Sequence, residues 1–257
     1  MDIIIIGTLA SLLAGLGTGL GALPIVFTQT IKQRLQGILL GFGGGVMLAA
    51  TSFSLIVPGT EAALEYGYSQ SISALIMVCG IVVGGAALWL MHNHFPHEHF
   101  FKGPEGPSFQ NFQRIWLFVM AITLHNFPEG LAVGVGFGGE NVTNGLALAL
   151  GIGVQNMPEG LVVALGLREL NYSIGFAFGI ALLTGLVEPL GGLIGAGIVS
   201  VAQAFLPWAM AFAAGAMLFV IVDEIIPEID RKSCEQEGTL GIMTGFAVMM
   251  FLDIAIG

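Results

Sequence analysis

The sequence predicts an all-α, polytopic membrane protein of eight transmembrane helices with inverted repeats and a midplane metal site. Three observations carry the fold class. Of 257 residues, 55% are hydrophobic and 9% charged, and the mean hydropathy is +0.90. A water-soluble domain of this length needs far more charge to cover its surface. Apolar runs of about 20 residues recur along the whole chain, the length that crosses a hydrocarbon core of about 30 Å. The 39 glycines suit the close helix approach that drives packing in a bilayer.

The spans fall near 3–27, 35–58, 70–92, 113–136, 143–167, 173–201, 206–228 and 238–256, within one domain covering 1–257. The opening MDIIIIGTLA has no positive stretch ahead of its apolar run, so it reads as a retained first span. Seven cationic residues test the count. Lys32 and Arg34 follow span one, and Lys102 and Arg114 lie between spans three and four. Arg168 follows span five, and Arg231 and Lys232 follow span seven. All fall on one side, which the positive-inside rule makes cytoplasmic, and an even count of spans then places both termini outside.

The net charge of −10 sorts the same way. Asp2, Glu61, Glu65, Glu140 and Asp253 fall at the outer face, either as a surface that gathers cations or as an ordinary solvated rim. Seven dispersed basic residues exclude a phosphate-binding patch, so no nucleic-acid partner is expected. Cys79 and Cys234 cannot form a disulfide framework.

Between spans three and four, MHNHFPHEHF holds His92, His94, His97 and His99, four of the five histidines. This cytoplasmic loop, about 92–112, is either an auxiliary metal-binding tract or a polar linker.

The costly residues lie inside the membrane. HNFPEG at 125–130 and QNMPEG at 155–160 both fall near the middle of their spans, which run in opposite directions. That is the pattern of an inverted repeat with its site at the midplane. His125 and Glu129 are four apart and share a helix face, as do Gln155 and Glu159; Asn126 and Asn156 fall beside them. Pro128 and Pro158 each remove a backbone donor, so the helices should bend there and free the carbonyls of Leu124 and Val154. Glu188 precedes Pro189 in span six. In span seven Asp223, Glu224 and Glu228 mark a path toward the cytoplasm.

No Lys or Arg lies inside the spans beyond Arg114 at the very edge of span four. Unpaired carboxylates at that depth protonate or demand a cation. Imidazole, carboxylate and amide oxygen suit a borderline divalent metal: zinc first, then cadmium, iron, cobalt or manganese. A fainter repeat relates GGGVMLAATSFSLIVP in span two to AAGAMLFVIVDEIIP in span seven. It makes Met47 and Met217 equivalent, each either core filler or a thioether facing a soft metal.

At these motifs the chain resembles the Zrt/Irt-like (ZIP) family of divalent metal transporters, in particular its bacterial GufA-type branch. The residues that carry the resemblance are MLAATSFSLIVPG, WLFVMAITLHNFPEG, QNMPEGLVVALGLR, EPLGGLIG and EIIPE. The resemblance implies a binuclear site. His125, Glu129, Gln155 and Glu159 would bind the first metal, with Met47 nearby. Asn126, Asn156 and Glu188 would bind the second, with Glu129 and Glu159 bridging. Gln155 stands where most of the family has His, and Asp223 where many relatives have His.

The expected protein is a non-enzymatic importer of Zn2+ in a bacterial inner (plasma) membrane, with Cd2+, iron or manganese as alternative cargo. Its expected mechanism is alternating access, with spans one, four, five and six moving against the other four. Divalent metal ions and the lipid bilayer are the expected partners, with a second copy of the chain as a candidate homodimer partner. A passive divalent-metal channel shares every ligand and stays open as an alternative. An intramembrane metal-dependent hydrolase would need a motif such as HExxH, and the sequence has none.

Overall fold

A computed structural model describes residues 3–28, 32–94, 97–99, 103–105, 114–138, 142–169, 171–231 and 234–256. Eleven α-helices account for almost all of them: α1 (Ile3–Ala22), α2 (Gln33–Ala49), α3 (Val57–Glu65), α4 (Gln70–His94), α5 (Arg114–Gly136), α6 (Val142–Glu169), α7 (Ile174–Gly185), α8 (Glu188–Val201), α9 (Leu206–Val220), α10 (Ile226–Arg231) and α11 (Glu235–Ile256). Several of these join end to end. Among the described residues seven rods are long and apolar enough to cross a membrane. The helix α5, 23 residues long, carries the motif assigned to span four.

The His-rich segment differs from the loop expected at 92–112. The helix α4 runs on to His94, and β1 (His97–His99) pairs antiparallel with β2 (Gly103–Glu105), His97 opposite Glu105. Lys102 and the rest of that segment lie outside the described residues, as do Asp2, Glu140 and Lys232.

Packing divides the helices into two groups. The helices α1, α5, α6, α7 and α8 contact one another, and α2, α4, α9 and α11 form the second set. Glycine makes both tight. A Cβ on Gly41 of α2 would overlap the carbonyl oxygen of Gly238 on α11, so only glycine allows those backbones to touch. The helices α2 and α11 run side by side in the same direction. Arg34 meets Glu237 at one end (3.2 Å) and Ser54 donates to Asp253 at the other (2.7 Å). The seam between the two groups includes Met47 and Ala50 from one side and Leu148 and Ile152 from the other, all buried.

The faint repeat of spans two and seven is written in the backbone. A π-helical stretch, Ala50–Ile56, links α2 to α3, and another, Ile221–Ile225, links α9 to α10. A proline follows each, Pro58 and Pro227. Proline crowds the carbonyl four residues back and gives it no donor. The wider π turn relieves that crowding locally, and such turns are rare elsewhere.

For Pro58 the crowded carbonyl belongs to Ser54, and Asn144 of α6 reaches across the seam to donate to it (Nδ2 to O, 3.1 Å). The variant Asn144→Ala should therefore lose about 1–3 kcal/mol of stability, the cost of a buried acceptor left without its donor. Asn144→Asp, which keeps the size but offers no N–H when ionised, should behave alike. Thermal unfolding in detergent checks this, and wild-type stability in both would show that the carbonyl has another donor.

Candidate metal centre

The two PEG-type motifs place their polar residues on facing sides of α5 and α6. Asn126, Glu129, Asn156 and Glu188 are each 0% exposed and Gln155 is 3% exposed. Glu159 is half-buried one turn beyond Gln155. Both prolines are accommodated inside continuous helices, Pro128 in α5 and Pro158 in α6. The interruption of the backbone falls instead in span six. The helix α7 ends at Gly185, two residues turn, and α8 begins at Glu188 with Pro189 in its first turn, where a missing N–H costs nothing. Glu188 is thus delivered at a helix break, in the middle of the protein.

Two amides of α6 each hold one carboxylate. Gln155 Nε2 donates to Glu129 Oε1. Asn156 Nδ2 donates both to Glu188 Oε1 (2.7 Å) and to the carbonyl of Ala14 on α1 (2.9 Å). With both N–H groups committed, Asn156 turns its Oδ1 the other way. That oxygen is buried and finds no hydrogen-bond partner among the described residues. The same is true of Gln155 Oε1, Glu188 Oε2 and both polar atoms of the Asn126 amide.

Buried polar atoms are paired in native proteins with few exceptions, and a cluster of exceptions marks a place for water or an ion. No Lys or Arg pairs with Glu188 among the described residues. Carboxylate and amide oxygens buried together on α5, α6 and α8 fit a divalent cation. Among the described residues no three His, Cys, Asp or Glu side chains close into a metal cage, so the donor set gathered here is mixed carboxylate and amide. His125 falls on α5 one turn before Glu129, and its side chain lies outside the described residues, as do those of Glu224, Glu228, His92, His94, His97 and His99.

The remaining residues singled out in the sequence take different positions. Met47 is buried in the apolar seam with Leu148 and Ile152. Its equivalent Met217 is buried in the same cluster. Asp223 is half-buried on the π-helical stretch before α10. Glu61 and Glu65 line a cavity of about 610 Å³ between the two helix groups, together with Tyr66 and Asn144. The residues of the buried cluster do not line that cavity.

Three contributors escape the sequence reading. The Ala14 carbonyl is a backbone group and leaves no mark in the residue types. Ser11, whose Oγ donates to the Glu188 carbonyl, and Asn144, which donates to the Ser54 carbonyl, leave only a weak one, a small polar side chain within a span.

Comparison with known proteins identifies the family. Residues 105–253 match the family model described as ZIP zinc transporter. The chain is 48% identical over 251 residues to the zinc transporter GufA of Myxococcus xanthus, covering 98% of this chain and 99% of that one. It is 44% identical over 241 residues to the zinc transporter ZIPB of Bordetella bronchiseptica, covering 93% and 78%. To the zinc transporter ZIP11 of Homo sapiens it is 33% identical over 317 aligned positions, covering 92% of each. All three are transporters rather than enzymes, and the shared length takes in both motifs, the broken span six and the seam. The chain belongs to the ZIP zinc transporter family.

Proposed function

We propose that this protein carries zinc across a bacterial inner membrane toward the cytoplasm, acting through residues 1–257 as one transport unit. The observation that carries the reading is the buried cluster of Glu129, Glu188, Asn126, Gln155 and Asn156. Among the described residues several of its oxygens have no protein partner and no basic residue offsets Glu188. The relatives named as zinc transporters support zinc as the cargo. In this reading Glu129 and Glu159 bridge two metal positions, His125 and Gln155 complete the first, and Asn126, Asn156 and Glu188 complete the second. Cadmium, iron and manganese are weaker cargo at the same oxygens.

The route follows from the packing. The cavity lined by Glu61 and Glu65 faces outside and gathers cations. In this reading the apolar seam at Met47, Ala50, Leu148 and Ile152 is the barrier between that cavity and the carboxylates, which do not line it. Movement of the group containing α1, α5, α6, α7 and α8 against the other helices opens that seam to one side at a time. Asp223, Glu224, Glu228 and the His-rich segment receive the ion on the cytoplasmic side. Ligands must be deprotonated to bind metal, so proton release accompanies loading. The test is metal uptake into proteoliposomes with competing ions and an imposed pH gradient. Saturable zinc uptake is the expected result. Flux that rises without saturation would mean a channel, and no metal flux at all would end the proposal.

Gln155 sets the balance between affinity and release. Its amide donates to Glu129 and leaves only a neutral oxygen for the ion. Gln155→His should supply a nitrogen ligand, which favours zinc over manganese. A lower apparent KM for zinc, a reduced maximal rate and weaker manganese competition are expected in the liposome assay. Unchanged competition profiles would remove residue 155 from the ligands.

A further inference from the structure

The first helix touches the break in span six at both of its edges. Gly15 lies against Gly185, the last residue of α7, closely enough that a Cβ on Gly15 would overlap the Gly185 carbonyl oxygen. Ser11 lies four residues earlier, on the same face of α1. Its side chain is 0% exposed, and its Oγ donates to the backbone carbonyl of Glu188, the first residue of α8, at 2.9 Å. Between them Ala14 offers its carbonyl to the same Asn156 amide that holds the Glu188 carboxylate. About one turn of α1 therefore bridges the gap between two helices that the chain itself does not join in helical register.

We propose that Ser11 is a positioning residue for Glu188: it anchors the backbone from which that carboxylate projects, and so sets where its oxygens meet the ion. The inference rests on the reading of Glu188 as a metal ligand. A carboxylate at the start of a helix, just after a turn, has few backbone constraints behind it. Asn156 restrains the far end of the side chain, while Ser11 restrains the near end. Groups that orient metal ligands without touching the metal typically contribute about 10- to 100-fold in affinity.

The experiment uses the purified full-length protein in detergent, with zinc affinity measured by competition against a fluorescent chelator. Ser11→Ala is expected to weaken zinc binding about tenfold. Ser11→Cys keeps a weaker donor in the same place and should fall between Ser and Ala, which also covers the case in which Ser11→Ala fails to fold. The decisive measurement is the double variant. With Glu188→Gln already present, adding Ser11→Ala should cause no further loss, because the residue being positioned no longer carries the charge. A general packing role would instead lower affinity by the same factor in both backgrounds, and that result overturns the inference. So does wild-type affinity in Ser11→Ala when Glu188→Gln alone is weakened. Wild-type affinity in Glu188→Gln removes the ligand reading itself, and the Ser11 inference with it.

Discussion

Replacing Glu129 by Ala is expected to reduce saturable zinc uptake to background while the protein still inserts in the membrane. Glu129 is 0% exposed and accepts a hydrogen bond from Gln155 of the neighbouring helix. The substitution therefore has two consequences. It removes a buried carboxylate, and it leaves the Gln155 amide without its acceptor. The second consequence costs about 1–3 kcal/mol of stability. Glu129→Gln separates the two, since it keeps the volume and an acceptor oxygen and loses only the charge. Both variants should fail in uptake, but only Glu129→Ala should unfold at lower temperature. Uptake by Glu129→Gln with wild-type kinetics would mean that a neutral oxygen suffices at residue 129, and the ionic account of the site would fall.

The second large effect is expected one residue later, at a position with no polar group. A Cβ on Gly130 would overlap the carbonyl oxygen of Glu188 and stand 2.6 Å from its carbonyl carbon and its Cα. Those are backbone atoms at the start of α8, pinned from the other side by Ser11, so they cannot step aside as a flexible side chain would. Gly130→Ala must separate α5 from α8 and carry the Glu188 carboxylate away from Asn126 and Glu129. Overpacking of this kind costs about 1–3 kcal/mol and sometimes more. Transport should suffer beyond that, because the proposed ligands on α5 and α8 are drawn apart. Gly179→Ala is the matched control. Nothing lies within 4 Å of a Cβ there, so it should transport normally and gain slightly from better helix propensity. Equal behaviour of the two variants in uptake would show that the close approach of α5 and α8 does not set the site.

Much of this protein was legible from residue types and spacing. Charge scarcity and apolar run length predicted membrane helices, because a bilayer core admits little else. The paired NFPEG and NMPEG strings pointed to the cluster, since Glu129 and Glu159 have no reason to lie in hydrocarbon unless something answers their charge. The relation between spans two and seven was faint in sequence and plain in structure, as the same π-helical stretch before Pro58 and Pro227. Less legible was where the backbone yields. Proline content pointed to bends at Pro128 and Pro158, where the helices run on without interruption, while the break that the structure shows lies in span six before Glu188. Proline demands only that one carbonyl lose its donor. Whether the helix then bends, widens or stops depends on what the neighbouring helices supply.

What the sequence determined by itself is therefore the solvent of the fold, its construction from apolar helices, and the residue types of the buried polar cluster. These are properties of local composition and period, readable without knowing who packs against whom. The tertiary structure alone decided which groups hold which. Asn156 links the Ala14 carbonyl to the Glu188 carboxylate, Gln155 faces Glu129, Asn144 serves the carbonyl that Pro58 strands, and Ser11 anchors the start of α8. Each of these joins different helices, and three of the five bonds end on a backbone carbonyl. Every residue type carries the same carbonyl, so no pattern of side chains can announce it.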